Sequence, residues 1–119
     1  MNKIFTVLLI LLSTQLFPQR NQNSISGGLV TGTVFDFESK HTIEYANIVL
    51  LSPMDSSLIN GTITDANGIF SLSGIQPGKF IVEVRFIGYK YESFDIEVTA
   101  DTKNIDLGEI YIKPNALEL

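Results

Sequence analysis

His41-Thr42-Ile43-Glu44 is the first place in this 119-residue chain where residue types and spacing match a known catalytic arrangement. A His-x-x-Glu pair can share a zinc ion, and catalytic zinc takes three protein ligands and leaves its fourth position to water. No motif supplies a third ligand here, since His41 is the single histidine and cysteine is absent. Asp65-Ala66-Asn67-Gly68 opens like a calcium loop, but such a loop puts glycine sixth and glutamate twelfth. In this chain the glycine comes two places early, and Gln76 occupies the twelfth position. Ser56-Ser57 lacks the Gly-x-Ser-x-Gly elbow, and one histidine leaves a serine triad without a base elsewhere. Asn60-Gly61-Thr62 fits a glycosylation sequon inside an expected strand, and no glycine-rich phosphate loop is present. The reading is of a chain with no catalytic residue, no cofactor site and no metal site.

Binding is the chemistry left. Tyr45, Tyr89 and Tyr91, with Phe37, are the aromatics expected to reach the surface, where rings can stack on a sugar. The competing role for a tyrosine at a strand end is to cap the core with its ring and leave the hydroxyl wet. Glu83, Glu92, Asp95 and Glu97 read as a solvated face. A net charge of −5 with 18% charged residues argues against nucleic acid as a partner. Without cysteine there are no disulfides, no thiolate-held metal and no lipoprotein-type anchor.

The elements that would carry these residues are strands. Period-two alternation over Lys79–Phe86 puts Phe80, Val82, Val84 and Phe86 on one face and Lys79, Glu83 and Arg85 on the other, with Ile81 as the outer apolar residue. Shorter alternating runs cover Thr62–Thr64 and Ile69–Leu72. Between the runs, Asp65-Ala66-Asn67-Gly68 offers an acceptor and then Asn-Gly for a left-handed backbone. Gln76-Pro77-Gly78-Lys79 reads as a type II turn, with Pro77 presetting φ and Gly78 taking the positive value. These turns predict two successive hairpins and an antiparallel meander. Upstream, Leu29–Phe35 directs Val30, Gly32 and Val34 inward, and the nearly continuous apolar run Ala46–Ser52 predicts cover on both faces. Downstream, Ile87-Gly88-Tyr89 turns the chain into Tyr91–Val98, with Phe94, Ile96 and Val98 inward. In Ile105–Ile112 the apolar residues change parity, which predicts a β-bulge at Gly108 or Glu109.

About seven short strands without an amphipathic helix predict an all-β, two-sheet antiparallel sandwich. Ahead of it, residues 1–18 read as a secretory signal-peptide helix: Lys3, the apolar run Ile4–Leu12, then Ser13, Thr14 and Gln15. The run is too short to span a bilayer. Leu16-Phe17-Pro18-Gln19 shows no small-x-small cleavage pair. The expected organisation is a signal peptide at 1–18, a flexible linker at 19–28, the sandwich at 29–113 and a tail at 114–119.

The run GTITDANGIFSL, then PGKFIVEV, then FIGY resembles the carboxypeptidase-regulatory-like domain, a transthyretin (prealbumin)-like Greek-key β-sandwich. The resemblance covers about Ser26 to Leu119. It includes Gly32, Val34, Ala46, Asn47, Ile48, Thr64, Asp65, Asn67, Gly68, Phe70, Gly78, Gly88, Tyr89, Leu107 and Gly108. It departs from the family where a proline is usual before the second strand and His41-Thr42-Ile43 stands instead. The chain is most similar to the version that opens TonB-dependent outer-membrane receptors. That resemblance implies a non-catalytic module, exported to the periplasm or outer membrane of a Gram-negative bacterium. The partners it implies are the receptor plug and barrel or the energising complex. Two readings stay open, the first piece of an interrupted receptor and a free-standing module that binds a carbohydrate or a protein.

Overall fold

The computed structural model describes residues 27–116; the expected signal peptide, most of the 19–28 linker and the last three residues lie outside them. Seven strands follow in order: β1 (Gly28–Asp36), β2 (Asn47–Leu51), β3 (Leu58–Ile63), β4 (Ile69–Ile75), β5 (Gly78–Arg85), β6 (Glu92–Val98) and β7 (Asn104–Ile112). They form two sheets, a three-stranded one of order β4-β1-β7 and a four-stranded one of order β3-β2-β5-β6. The described chain is thus an all-β two-layer sandwich. One strand pair, β1 with β7, is parallel, so the expectation of antiparallel pairing throughout is corrected there.

The expected meander does not form. β3 and β5 lie in one sheet while β4, between them in sequence, lies in the other. Both glycine-bearing connections therefore carry the chain across the core instead of joining paired neighbours. At the first, the Gly68 amide donates to the Asp65 carbonyl (2.9 Å), and Asp65 Oδ1 accepts from the amides of Asn67 (2.9 Å) and Ile69 (3.0 Å). Gly68 alone takes the left-handed backbone, at φ 75°; Asn67 does not. At the second, Gly78 has φ 155° where a type II turn needs about 80°. That turn geometry occurs instead at Phe86–Tyr89, where Gly88 has φ 83° and the Tyr89 amide donates to the Phe86 carbonyl (3.0 Å).

The core fills the space between the sheets. Val30 and Val34 of β1, Phe70 and Leu72 of β4, and Ile110 and Ile112 of β7 face Ile48 and Leu50 of β2, Val82 and Val84 of β5, and Ile96 and Val98 of β6. Alternate residues of a strand point to one face, so each strand supplies this layer from every second position. Phe80, Phe86 and Phe94 are only partly buried, packing at the rim of that cluster. The β7 bulge is present: Thr31 pairs with Asp106 and Thr33 with Glu109, one extra residue on β7, with Gly108 at φ 68°. It places Ile105 and Leu107 against the same core as Ile110 and Ile112.

Candidate functional site

β2 begins where β5 ends, with Asn47 paired to Arg85 at the same end of the four-stranded sheet. Beyond Arg85 the Phe86–Tyr89 turn lifts Ile87 clear of the body, leaving it 91% exposed. The chain then returns through Tyr91, whose ring lies 5.1 Å from the Arg85 guanidinium carbon. Arg85 Nε also donates to Glu83 Oε1, and Ser93 Oγ donates to Glu83 Oε2 (3.3 Å). Glu83 is therefore partly covered and occupied, unlike Glu92, Asp95 and Glu97, which are exposed. The C-terminal segment closes the remaining side. Lys90 N donates to Lys113 O, Asn115 N to Gly88 O (both 2.8 Å), and Tyr89 pairs with Pro114. The result is an open concavity lined by Asn47, Arg85, Ile87, Tyr89, Tyr91 and Asn115.

The three tyrosines separate here. Tyr89 is half-buried; its hydroxyl donates to Asp36 Oδ2 and its ring packs on Phe86 at 5.5 Å between centroids. Asp36 Oδ1 meanwhile accepts from the amides of Glu38 (2.7 Å) and Ser39 (2.9 Å). Tyr89 and then the Ser39 amide hold the Asp36 carboxyl below its ordinary range, while the carboxylate and partial burial push the Tyr89 phenol up. Tyr89 thus ties the turn to the end of β1, and only the ring of Tyr91 (62% exposed) is offered to a ligand in the concavity. Tyr45 is as exposed, at 64%, but does not line it. Its φ of 64° is held by a bond from its amide to the Thr64 carbonyl (3.1 Å).

Phe37 belongs to a second surface group. Lys40 Nζ lies 4.2 Å and Lys113 Nζ 4.7 Å from its ring centroid, and Lys40 also approaches the Tyr111 ring (4.9 Å). Tyr111 stacks on Phe35 at 5.2 Å. Sequence reasoning missed Arg85 as a site residue and missed Phe35 and Tyr111 as a surface pair. Their signal was parity, since Phe35 and Tyr111 each neighbour a core residue, Val34 and Ile110, and so face outward.

His41 and Glu44 are both exposed on the loop between β1 and β2. Among the described residues no three histidine, cysteine, aspartate or glutamate side chains converge on one point.

The family model of the CarboxypepD_reg-like domain matches residues 30–119. The chain belongs to that family. The CarboxypepD_reg-like domain here also resembles solved β-sandwich structures at identities that show the fold alone. The group B streptococcus pilus 2b backbone protein is 14% identical with a TM-score of 0.56, over 76% of this chain and 42% of that one. The Bacillus anthracis TIE protein is 17% identical with a TM-score of 0.60, over 73% of this chain and 17% of that one. For a shaft pilin SpaA structure from Lactobacillus rhamnosus GG the values are 15% and 0.57, over 76% and 49%. The domain thus spans less than half the length of each. No curated protein matches it in sequence.

Proposed function

We propose that this CarboxypepD_reg-like domain is a non-catalytic, exported interaction module of the outer membrane, of the kind that precedes the plug and barrel of a TonB-dependent receptor. In that reading the concavity at the β5–β6 end is where a protein partner docks. The supporting observation is Ile87, an almost fully exposed aliphatic side chain beside the Arg85–Tyr91 pair. An isolated exposed apolar residue is ordinary. One set beside an arginine and a tyrosine has the composition that dominates contact energies between proteins. Affinity purification of the exported chain is expected to recover an outer-membrane receptor or its energising complex, and Ile87→Asp with Arg85→Glu is expected to abolish recovery. Recovery that survives both substitutions would refute the docking site.

The exposed ring of Tyr91 favours one other reading, a glycan stacked on its free face. Binding on a glycan array that is lost in Tyr91→Ala, with unfolding unchanged, would select it over the protein partner.

A further inference from the structure

Asn-Gly occurs twice in the chain, as Asn60-Gly61 in β3 and as Asn67-Gly68 at the first cross-core connection. Such a pair carries chemistry of its own, because a glycine amide, with no Cβ beside it, can approach and attack the preceding side-chain amide. Reaction depends on where that nitrogen points and what holds it, and the two pairs differ on both counts. β3 is an edge strand with β2 on one side only. Just past it, the Thr64 amide points inward to Ala46 O (3.0 Å), and amides alternate along a strand, so that of Gly61 points out. There it donates to Asn60 Oδ1 at 2.8 Å, on an exposed residue. Oδ1 lies about 1.2 Å from Cγ, so the nitrogen sits within about 4 Å of the carbon it would attack, near the roughly 3–3.5 Å of poised reacting atoms. Asn60 Nδ2, the group that would leave, has one long contact, to Ser73 O at 3.4 Å. At the second pair the Gly68 amide is committed to Asp65 O (2.9 Å), the Gly68 carbonyl accepts from Val34 N (2.8 Å), and the residue is buried. Asn67 is fixed through its own amide on Asp65 Oδ1 (2.9 Å).

Going beyond the proposed function, and on a different surface, we propose that Asn60-Gly61 is a self-modification site, where the folded domain converts Asn60 to aspartate and isoaspartate while Asn67 stays intact. Hydroxide removes the Gly61 amide proton, and the nitrogen forms a bond to Asn60 Cγ as the Cγ–Nδ2 bond breaks. Nδ2 takes a proton from water and leaves as ammonia, which regenerates the hydroxide and leaves a cyclic imide. Water then opens the imide at either carbonyl, giving aspartate or its β-linked isomer. The product changes the flank where β3 meets β4. Neither strand carries a charged residue, so the new carboxylate is the first on that flank. It also stands where an amide had donated to Ser73 O of β4, so a donor is lost as a charge is gained.

The test holds the purified chain warm at mildly alkaline pH and maps its peptides by mass spectrometry at intervals, with isoaspartate counted by methyltransferase labelling. In the folded chain Asn60 is expected to convert about tenfold or more faster than Asn67. In urea above the unfolding transition the two rates are expected to agree within about threefold, because only the folded geometry separates them. Gly61→Ala is expected to slow conversion at Asn60 about tenfold or more. That variant keeps the fold, since φ at Gly61 is not positive and the added Cβ would meet only Ile48 O at 3.4 Å and a Val49 methyl at 4.0 Å. If Gly61→Ala fails to unfold cooperatively, Asn60→Gln, which must close a larger ring, is expected to show the same loss. An Asn60 that stays intact in the folded chain for as long as the unfolded chain takes to convert overturns the proposal. So do equal rates at the two pairs in the folded chain, or a Gly61→Ala rate no lower than the parent's.

Discussion

Replacing Thr64 by valine is expected to destabilise the domain by about 2–4 kcal/mol, although the two side chains are nearly the same shape. Thr64 is the buried polar side chain of the described core, 1% exposed. Its Oγ1 donates to the Ile43 carbonyl (2.6 Å) and accepts from the Ala46 amide (2.8 Å). The Thr64 backbone adds a bond from its amide to Ala46 O (3.0 Å) and one from the Tyr45 amide to its carbonyl (3.1 Å). One hydroxyl thus holds the segment that feeds buried Ile43 and Ala46 into the core ahead of β2. Valine strands two buried partners, each costing roughly 1–3 kcal/mol, against about 1 kcal/mol returned by the extra methyl. Serine keeps both bonds and loses a methyl, so Thr64→Ser is expected to cost about 1 kcal/mol. Urea unfolding with a shared slope reads the difference directly. Should Thr64→Val match the parent, or should Thr64→Ser cost more than Thr64→Val, the hydroxyl does not hold that segment.

Two further outcomes rest on local geometry. Gly68→Ala and Gly74→Ala share a positive φ, 75° and 71°, but a Cβ at Gly68 would meet Val34 O at 2.7 Å and Thr42 Cβ at 2.9 Å, whereas at Gly74 it meets nothing within 4 Å. Gly74→Ala is expected to cost about 1–2 kcal/mol and Gly68→Ala roughly 2–5 kcal/mol; equal losses in urea unfolding would show that the first cross-core connection gives way without resistance. Tyr89→Phe is expected to flatten the pH dependence of stability at both ends. The Asp36 pKa is lowered by Tyr89, so that contribution is full above the ordinary value of 3.8 and lost as pH falls through the folded one. The Tyr89 pKa is raised, so its contribution is full below 10.0 and lost as pH rises through the folded value. Parallel acid limbs for parent and Tyr89→Phe would mean the hydrogen bond makes no difference to folding.

Strand existence and facing were readable from alternation because burial has a period of two in any sheet. Val82 and Val84, Ile96 and Val98, and the parity change that required the β7 bulge were all legible on that basis. Which strand each would pair with was not. Alternation fixes the face turned inward but is indifferent to whether the next strand lies beside it or across the core. The run from Thr62 to Phe86 satisfies a meander and a pair of cross-core connections equally well. What decides is the company of Gly68. Its carbonyl accepts from the Val34 amide (2.8 Å), and its Cα sits where a side chain would strike β1 and the 42–43 segment. Those contacts are distant in sequence, and a local turn signature carries no trace of them.

The candidate site was half legible for a related reason. Tyrosine type and strand-end position marked Tyr89 and Tyr91 equally, and the tertiary partner Asp36, 53 residues away, gave one of them a structural task. β3 is the sharper case. Its alternation reads as an apolar Ile63 framed by Thr62 and Thr64, which on a sandwich argues for Ile63 inside. The fold does the reverse, because Thr64 has buried carbonyl and amide partners that only a hydroxyl can satisfy, and its neighbour must then face out. Two buried partners left unpaired, at roughly 1–3 kcal/mol each, outweigh one isoleucine left half in water, which forfeits only part of the roughly 1.5–3 kcal/mol of full burial. The hydroxyl therefore fixes the phase of the strand, and the exposed isoleucine follows from it. The apolar outer edge is the physical consequence of a hydrogen bond made on the other face.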